Sequence, residues 1–313
     1  DGIRDLVRSR GLGDVYKRQS LMSLFSVIVG WTVQYWRPAN IWMISPWLLL
    51  WFLSPVIGWL LNRRPVVKQP KFLLPAEDRQ LLRNISRLTW RYFSDFVNKE
   101  TSWLPPDNYQ ISHQNKLALR TSPTNIGLYM VSVISACDFR YLTLDEVIFK
   151  LTQTMKTISK LERYEGHLLN WYDLQTLEPL RPQYVSTVDS GNLLGALWVL
   201  DQWLDANLQA PLLDMKVFTG LYDTGEVLRQ VIREEKVFGL NVQSLDELMR
   251  MWKSLPDHIT EILNLLRQSE ERAKDIYEKA CESTTAQGNT IYWAGQMKNQ
   301  LTALLSIADR YLT

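Results

Sequence analysis

Cysteine and histidine are scarce in this chain of 313 residues, with two of the first and three of the second. Cys137 and Cys281 lie far apart in helical patterns, which excludes a disulfide framework and fits a reduced compartment. The histidines are not at metal-ligand spacing and there is no CxxC, so no metal site is expected. An excess of charge is missing too: 35 basic against 33 acidic residues leave a formal net charge of +2. A nucleic-acid partner would want a strong basic face and is not expected. Phosphate loop, dinucleotide fingerprint and G-x-S-x-G elbow are all lacking. No strand-like alternation of useful length occurs either, which leaves an all-α fold class as the expectation.

What is present begins with apolar sequence. The chain has 13 tryptophans, several of them in one segment near the start. Residues 1–19 have no clean periodicity and end in Val15–Gln19, VYKRQ. They resemble translated adapter read-through and are set apart as a non-native segment, a reading under which the chain would be a fragment. Residues 20–62 then read as a transmembrane helical hairpin. Ser20 to Trp36 is uncharged, Arg37 to Asn40 interrupts, and Ile41 to Leu61 is uncharged again. A spanning helix needs roughly 20 apolar residues, which the second run meets and the first approaches. Arg63, Arg64, Lys68 and Lys71 follow, so the positive-inside rule puts that end in the cytoplasm.

Residues 63–75 form a basic linker, and 76–313 read as a helical domain. A helix opens at Pro75, with Leu81, Ile85, Leu88, Tyr92 and Phe96 expected as its apolar core face. Ser122 with Pro123 predicts the start of a second helix, and Thr143 with Glu146 a capping box for a third. A fourth is expected to start at Asp189-Ser-Gly-Asn and to carry Leu193, Leu197, Leu200 and Leu204 on one side. Further helices are expected from the Ser244-x-x-Glu247 box, from Pro256 to Cys281, and over 290–312. Long helices alternate with polar loops that lead into helix N-termini. This is the layout of an (α/α) toroid, here incomplete.

Four loops carry the chemistry, and aromatic faces beside short polar side chains are what a sugar site uses. The first holds Trp103 and Asp107. The second holds Arg120, Thr121, Ser122 and Asn125. The third holds His167, Asn170, Trp171 and Asp173, and the fourth Asp189 and Asn192. Trp103 and Trp171 are the stacking candidates; Asn125, Asp173, Asp189 and Asn192 are the hydroxyl partners. Glycoside chemistry uses two carboxylates. Asp173 and Asp189 are the available pair, and as catalytic residues they are weak candidates. Each residue has a plainer role open to it: Asp189 and Ser122 as caps, Trp171 as core, the asparagines as turn formers.

TSPTNIGL at Thr121 to Leu128, LERYEGHLLNWYD at Leu161 to Asp173, PQYVSTVDSGNL at Pro182 to Leu193 and WLPPDNYQ at Trp103 to Gln110 resemble blocks of the cyclic β-1,2-glucan synthase family. The resemblance implies a large enzyme of the bacterial inner (cytoplasmic) membrane. Its N-terminal glycosyltransferase would use UDP-glucose. A glucoamylase-like toroid would cyclise the glucan by transglycosylation, followed by a phosphorylase-like part. The chain would then hold the last membrane helices and the first half of the cyclising domain, on the cytoplasmic side. By itself it would bind no cofactor and be inactive, with its catalytic acids elsewhere. Its partners would be β-1,2-glucan or a similar glucan, the lipid bilayer and the rest of the parent polypeptide. The competing expectation is a membrane-anchored helical interaction or sensor module without catalysis, whose polar loops would be dispersed.

Overall fold

The computed structural model describes residues 21–62, 74–111, 116–237, 240, 242–253, 256 and 258–311. The segment 1–19, Ser20 and most of the basic linker (residues 63–73) lie outside the described residues. The chain divides into two compact units, residues 1–73 and 74–313.

The first unit is a helical hairpin. Helix α1 (Leu21–Trp36) is apolar but short. Arg37 and a 3-10 turn, Pro38–Asn40, break it from α2 (Ile41–Asn62). Proline at the start of that turn lacks the N–H that would otherwise go unbonded. The helices run antiparallel: Ser23 Oγ donates to the Phe52 carbonyl at 2.9 Å, the Phe25 and Trp51 rings lie 5.6 Å apart, and Gly30 faces Leu48. Among the described residues one stretch, Pro38–Gly58, is long and apolar enough to cross a membrane, with a mean hydropathy of 1.6. Large apolar side chains such as Trp31, Trp42 and Trp47 point outward.

The second unit is helical, as expected. Its helices are α3 (Ala76–Phe96), α4 (Pro123–Asp138), α5 (Leu144–Ile158), α6 (Thr187–Asn207), α7 (Val217–Glu234), α8 (Val242–Met251), α9 (Ile259–Glu282) and α10 (Gly288–Tyr311). Strand structure among the described residues is limited to three two-stranded antiparallel ribbons. Two apolar cores form. One joins α3 to α6 and the loops through residues such as Tyr129, Met130, Val133, Tyr172 and Leu174. The other joins α7 to α10 around Phe218, Leu266, Trp293 and Met297.

Local signals hold where a cap defines them. Ser122 Oγ accepts from the Asn125 N–H at 3.2 Å and starts α4 with Pro123 behind it. Thr143 and Glu146 make the reciprocal capping box of α5. Three expectations are corrected. Helix α6 starts two residues before Asp189, capped by Ser186, whose Oγ accepts from the Asp189 N–H at 3.1 Å. Ser244 lies inside the first turn of α8 rather than capping it. The third correction concerns α3. Leu81, Ile85 and Leu88 are about half exposed, while Arg87 and Trp90 are buried.

The buried face of α3 is an arginine ladder. Arg83 pairs with the fully buried Asp223 of α7 at 2.7 Å. Arg87 lies over the rings of Tyr141 and Trp293, at 5.1 and 5.0 Å, and donates to Thr224 at 2.8 Å. Arg91 lies 4.0 Å over Tyr292, whose hydroxyl donates to Asp95. Guanidinium planes stack on aromatic faces and satisfy acidic partners at once, which leucines in those places could not do. Burial brings Arg87 down to about 10, against the pull of nearby tyrosines and carboxylates.

Candidate functional site

The site forms where three local structures meet. Strand β3 (Arg120–Thr121) pairs antiparallel with β6 (Tyr172–Asp173), Arg120 opposite Asp173 and Thr121 opposite Tyr172. This ribbon ties the second loop to the third. Strands β4 (Arg163–Tyr164) and β5 (His167–Leu168) make a tight hairpin whose two turn residues, Glu165 and Gly166, both have positive φ, 47° and 86°. Such a two-residue turn matches the twist of the flanking strands, and glycine meets it without strain. The remaining ribbon, β1 (Tyr109–Gln110) with β2 (Lys116–Leu117), brings Asp107 back beside Ala118.

Helices α4 and α6 supply the floor. They run parallel: Thr124 meets Asp189, Gly127 faces Ala196, and Asp138 accepts from the Trp203 indole N–H at 2.9 Å. A Cβ at Gly127 would stand 2.9 Å from the Ala196 Cβ, so glycine sets this spacing. Both N-termini therefore open at the same end of the pair.

Two side-chain clusters sit there. In the first, Arg120 lies 4.6 Å over the Trp171 ring and donates through Nε and Nη2 to Asp107 Oδ2, at 3.2 and 3.0 Å. Asp107 also accepts from Asn108 Nδ2 at 2.9 Å and from Asn125 Nδ2 at 3.3 Å. Behind it, Tyr92 donates to the Pro106 carbonyl, and burial with the Asp107 charge raises its phenol to about 12. In the second cluster, Thr124 Oγ1 donates to Asp189 Oδ1 at 2.5 Å and accepts from Asn192 Nδ2 at 3.1 Å. Thr124 and Asn125 are adjacent in sequence, so the two clusters are joined at the first turn of α4.

All four loops thus contribute: Asp107 from the first, Arg120 and Asn125 from the second, Trp171 from the third, Asp189 and Asn192 from the fourth. Other expected site residues stand apart or are occupied otherwise. The Trp103 ring meets Phe149 of α5 edge-on at 5.1 Å, and its carbonyl accepts from Thr154, which turns it toward α5. His167 is exposed on the β4–β5 hairpin. Asp173 Oδ1 accepts the N–H groups of Gln175 and Thr176, at 2.8 and 2.9 Å, and so holds its own turn. Ser122 is a cap. Thr121 and Asn170 are buried, and Thr121 Oγ1, Asn170 Oδ1 and the neighbouring Asn108 Oδ1 have no partner among the described residues. Buried oxygens of this kind are usually satisfied by water or a bound hydroxyl. Thr124, Asn108 and Ser186 lie within the four candidate loops, yet nothing in the sequence singles them out as site residues. Their signal is weak, because short polar residues in turns and at helix starts read equally well as turn formers and caps.

The fold and the site define an all-α protein with an aromatic and polar cluster at the joined N-termini of two parallel helices. Over 190 residues the chain is 40% identical to cyclic beta-(1,2)-glucan synthase NdvB from Rhizobium meliloti (strain 1021), a match that takes in 60% of this chain. The resemblance to the cyclic β-1,2-glucan synthases is borne out. The chain spans 7% of the length of that relative, so it corresponds to a small part of a much larger enzyme. No protein-family profile matches the chain.

Proposed function

We propose that residues 74–313 supply part of the glucan-binding pocket of the cyclising, transglycosylating part of a cyclic β-1,2-glucan synthase, within an incomplete (α/α) toroid. The observation that carries this reading is the gathering of side chains from all four loops at one end of α4 and α6. Arg120, braced by the Trp171 face and clamped by Asp107, is a planar donor held in one orientation. Its Nη1 has no partner among the described residues. Asp189 and Asn192 add acceptors. Donors and acceptors fixed beside an aromatic wall suit a chain of sugar hydroxyls.

In this reading the carboxylates bind glucan, and the acids that perform the transfer belong to the rest of the parent polypeptide. Asp173 and Asp189 both spend one oxygen on the protein itself, which suits holding rather than proton transfer. The apolar hairpin, with the aromatic residues it turns outward, would lie in the inner membrane. The basic linker would set the helical unit on the cytoplasmic side, where a transferase part would use UDP-glucose. The dispersed loops expected of a sensor module gain no support from the contacts around Asp107 and Thr124.

Calorimetric titration of the chain, in detergent, with linear β-1,2-glucan tests the reading. Binding is expected, weakened about tenfold in Trp171→Ala as the brace beneath Arg120 is lost. No binding, or binding indifferent to both Trp171→Ala and Arg120→Ala, overturns it.

A further inference from the structure

Thr124 stands between the two parallel helices, and both capacities of its hydroxyl are used. A threonine hydroxyl has a single hydrogen to donate. It goes to Asp189 Oδ1, at the short distance typical of a hydroxyl bonded to a carboxylate. Thr124 can then meet Asn192 only as an acceptor. The amide of Asn192 must turn its nitrogen inward, as it does at 3.1 Å, and its oxygen outward. One oxygen of each residue, Asp189 Oδ2 and Asn192 Oδ1, is left without a partner among the described residues, on side chains that are half-buried and exposed respectively. Both are acceptors. They lie three residues apart on α6, one turn on the same face. Asp189 is held from two sides, by Thr124 through its side chain and by the Ser186 cap through its backbone N–H.

We propose that Thr124 is a positioning residue which fixes Asp189 and Asn192 as a pair of outward acceptors for two hydroxyl groups of one sugar unit. This rests on the glucan-binding reading and specifies how the fourth loop takes part in it. The hydroxyl bridges α4 and α6, so the orientation of the pair depends on the spacing that Gly127 sets between those helices. A ligand that offers hydrogens at this point is accepted. One that lacks a hydroxyl there leaves desolvated acceptors unpaired, and the protein discriminates against it.

The test compares Thr124→Ser with Thr124→Val in the whole chain, by calorimetric titration with linear β-1,2-glucan and by thermal melting. Serine keeps the hydroxyl, whereas valine keeps the shape and removes it. Binding by Thr124→Ser within about twofold of the parent, with a loss of about tenfold or more in Thr124→Val, is the expected split. Asn192→Ala, at an exposed position, carries the same expectation of weakened binding if the valine variant does not fold. Glucan affinity unchanged in Thr124→Val, or unchanged in Asn192→Ala, overturns the positioning role and leaves the pocket reading standing. An equal loss in the serine and valine variants also overturns it, since a hydroxyl would then not be what matters. Failure of the parent chain to bind glucan overturns the pocket reading and this inference together.

Discussion

Helices α9 and α6 are both long, and they bury themselves in opposite ways. Helix α9 turns Leu265, Leu266, Ala273, Ile276 and Ala280 inward and its charged run at residues 270–275 largely outward, the ordinary division of a surface helix. Helix α6 is apolar around much of its circumference. Leu200 is buried, while Leu194, Trp198 and Val199 are half or more exposed. A helix that is apolar on all sides usually lies inside a larger assembly. The α7–α10 bundle thus gathers its apolar side chains into one core, whereas α6 leaves large apolar side chains exposed beside the site.

The comparison breaks first at the seam that holds the two cores together. Asp223→Ala would strip the half-buried Arg83 of its carboxylate partner and take one of its two acceptors from the Tyr141 hydroxyl, with an expected loss of about 3–5 kcal/mol in a denaturant titration. A loss under 1 kcal/mol would show the seam to be incidental.

Alkaline pH strikes the same region. Tyr129, Tyr141 and Tyr292 have phenols raised chiefly by burial, as does Tyr92. Above pH 10 the unfolded chain gives up these protons and the folded chain keeps them. Stability is whole below pH 10 and falls as pH rises toward 12 and beyond. Arg87, lowered to about 10, acts in the opposite sense but is one group against four. Melting temperatures should fall from pH 9 to pH 11 together with late tyrosinate absorbance. A melting temperature that stays level across that range would contradict the burial of these rings.

Gly127→Ala comes next. Its new Cβ would press on Ala196 and on the backbone of Leu193, with an expected cost of about 1–3 kcal/mol. Glucan affinity should drop beyond what that cost explains, because Thr124 and Asp189 separate with the helices. Leu194→Ala is the smallest effect: as an exposed change on α6 it should stay within about 0.5 kcal/mol in thermal melts of this chain. A cost of 2 kcal/mol would mean that the α6 face is already covered.

Short-range chemistry was readable from the residues alone. The α4 cap at Ser122 and the Thr143 box depend on groups within four positions of one another, and they stand as expected. The four loops were recognisable for the same reason, through their mix of aromatic and short polar residues. The helix period of α3 was readable as well, but which of its faces is buried was not. Leu81, Ile85 and Leu88 marked one face, and the fold buries Arg87 and half-buries Arg83 because Asp223, Thr224, Tyr141 and Trp293 arrive from distant positions to meet them.

The site divides along the same line. Sequence by itself determined which loops combine aromatic with short polar side chains and that they precede or follow helices, since caps, turns and periodicity are local properties of the chain. Tertiary structure decided that Arg120 rests on Trp171, that Trp103 turns toward α5, and that Thr124 joins Asp189 to Asn192. The first and last of these follow from the β3–β6 ribbon and the parallel packing of α4 on α6, contacts between residues some 50 to 70 positions apart. No local preference encodes such contacts. They are settled by which surfaces can be buried together and which polar groups then find partners.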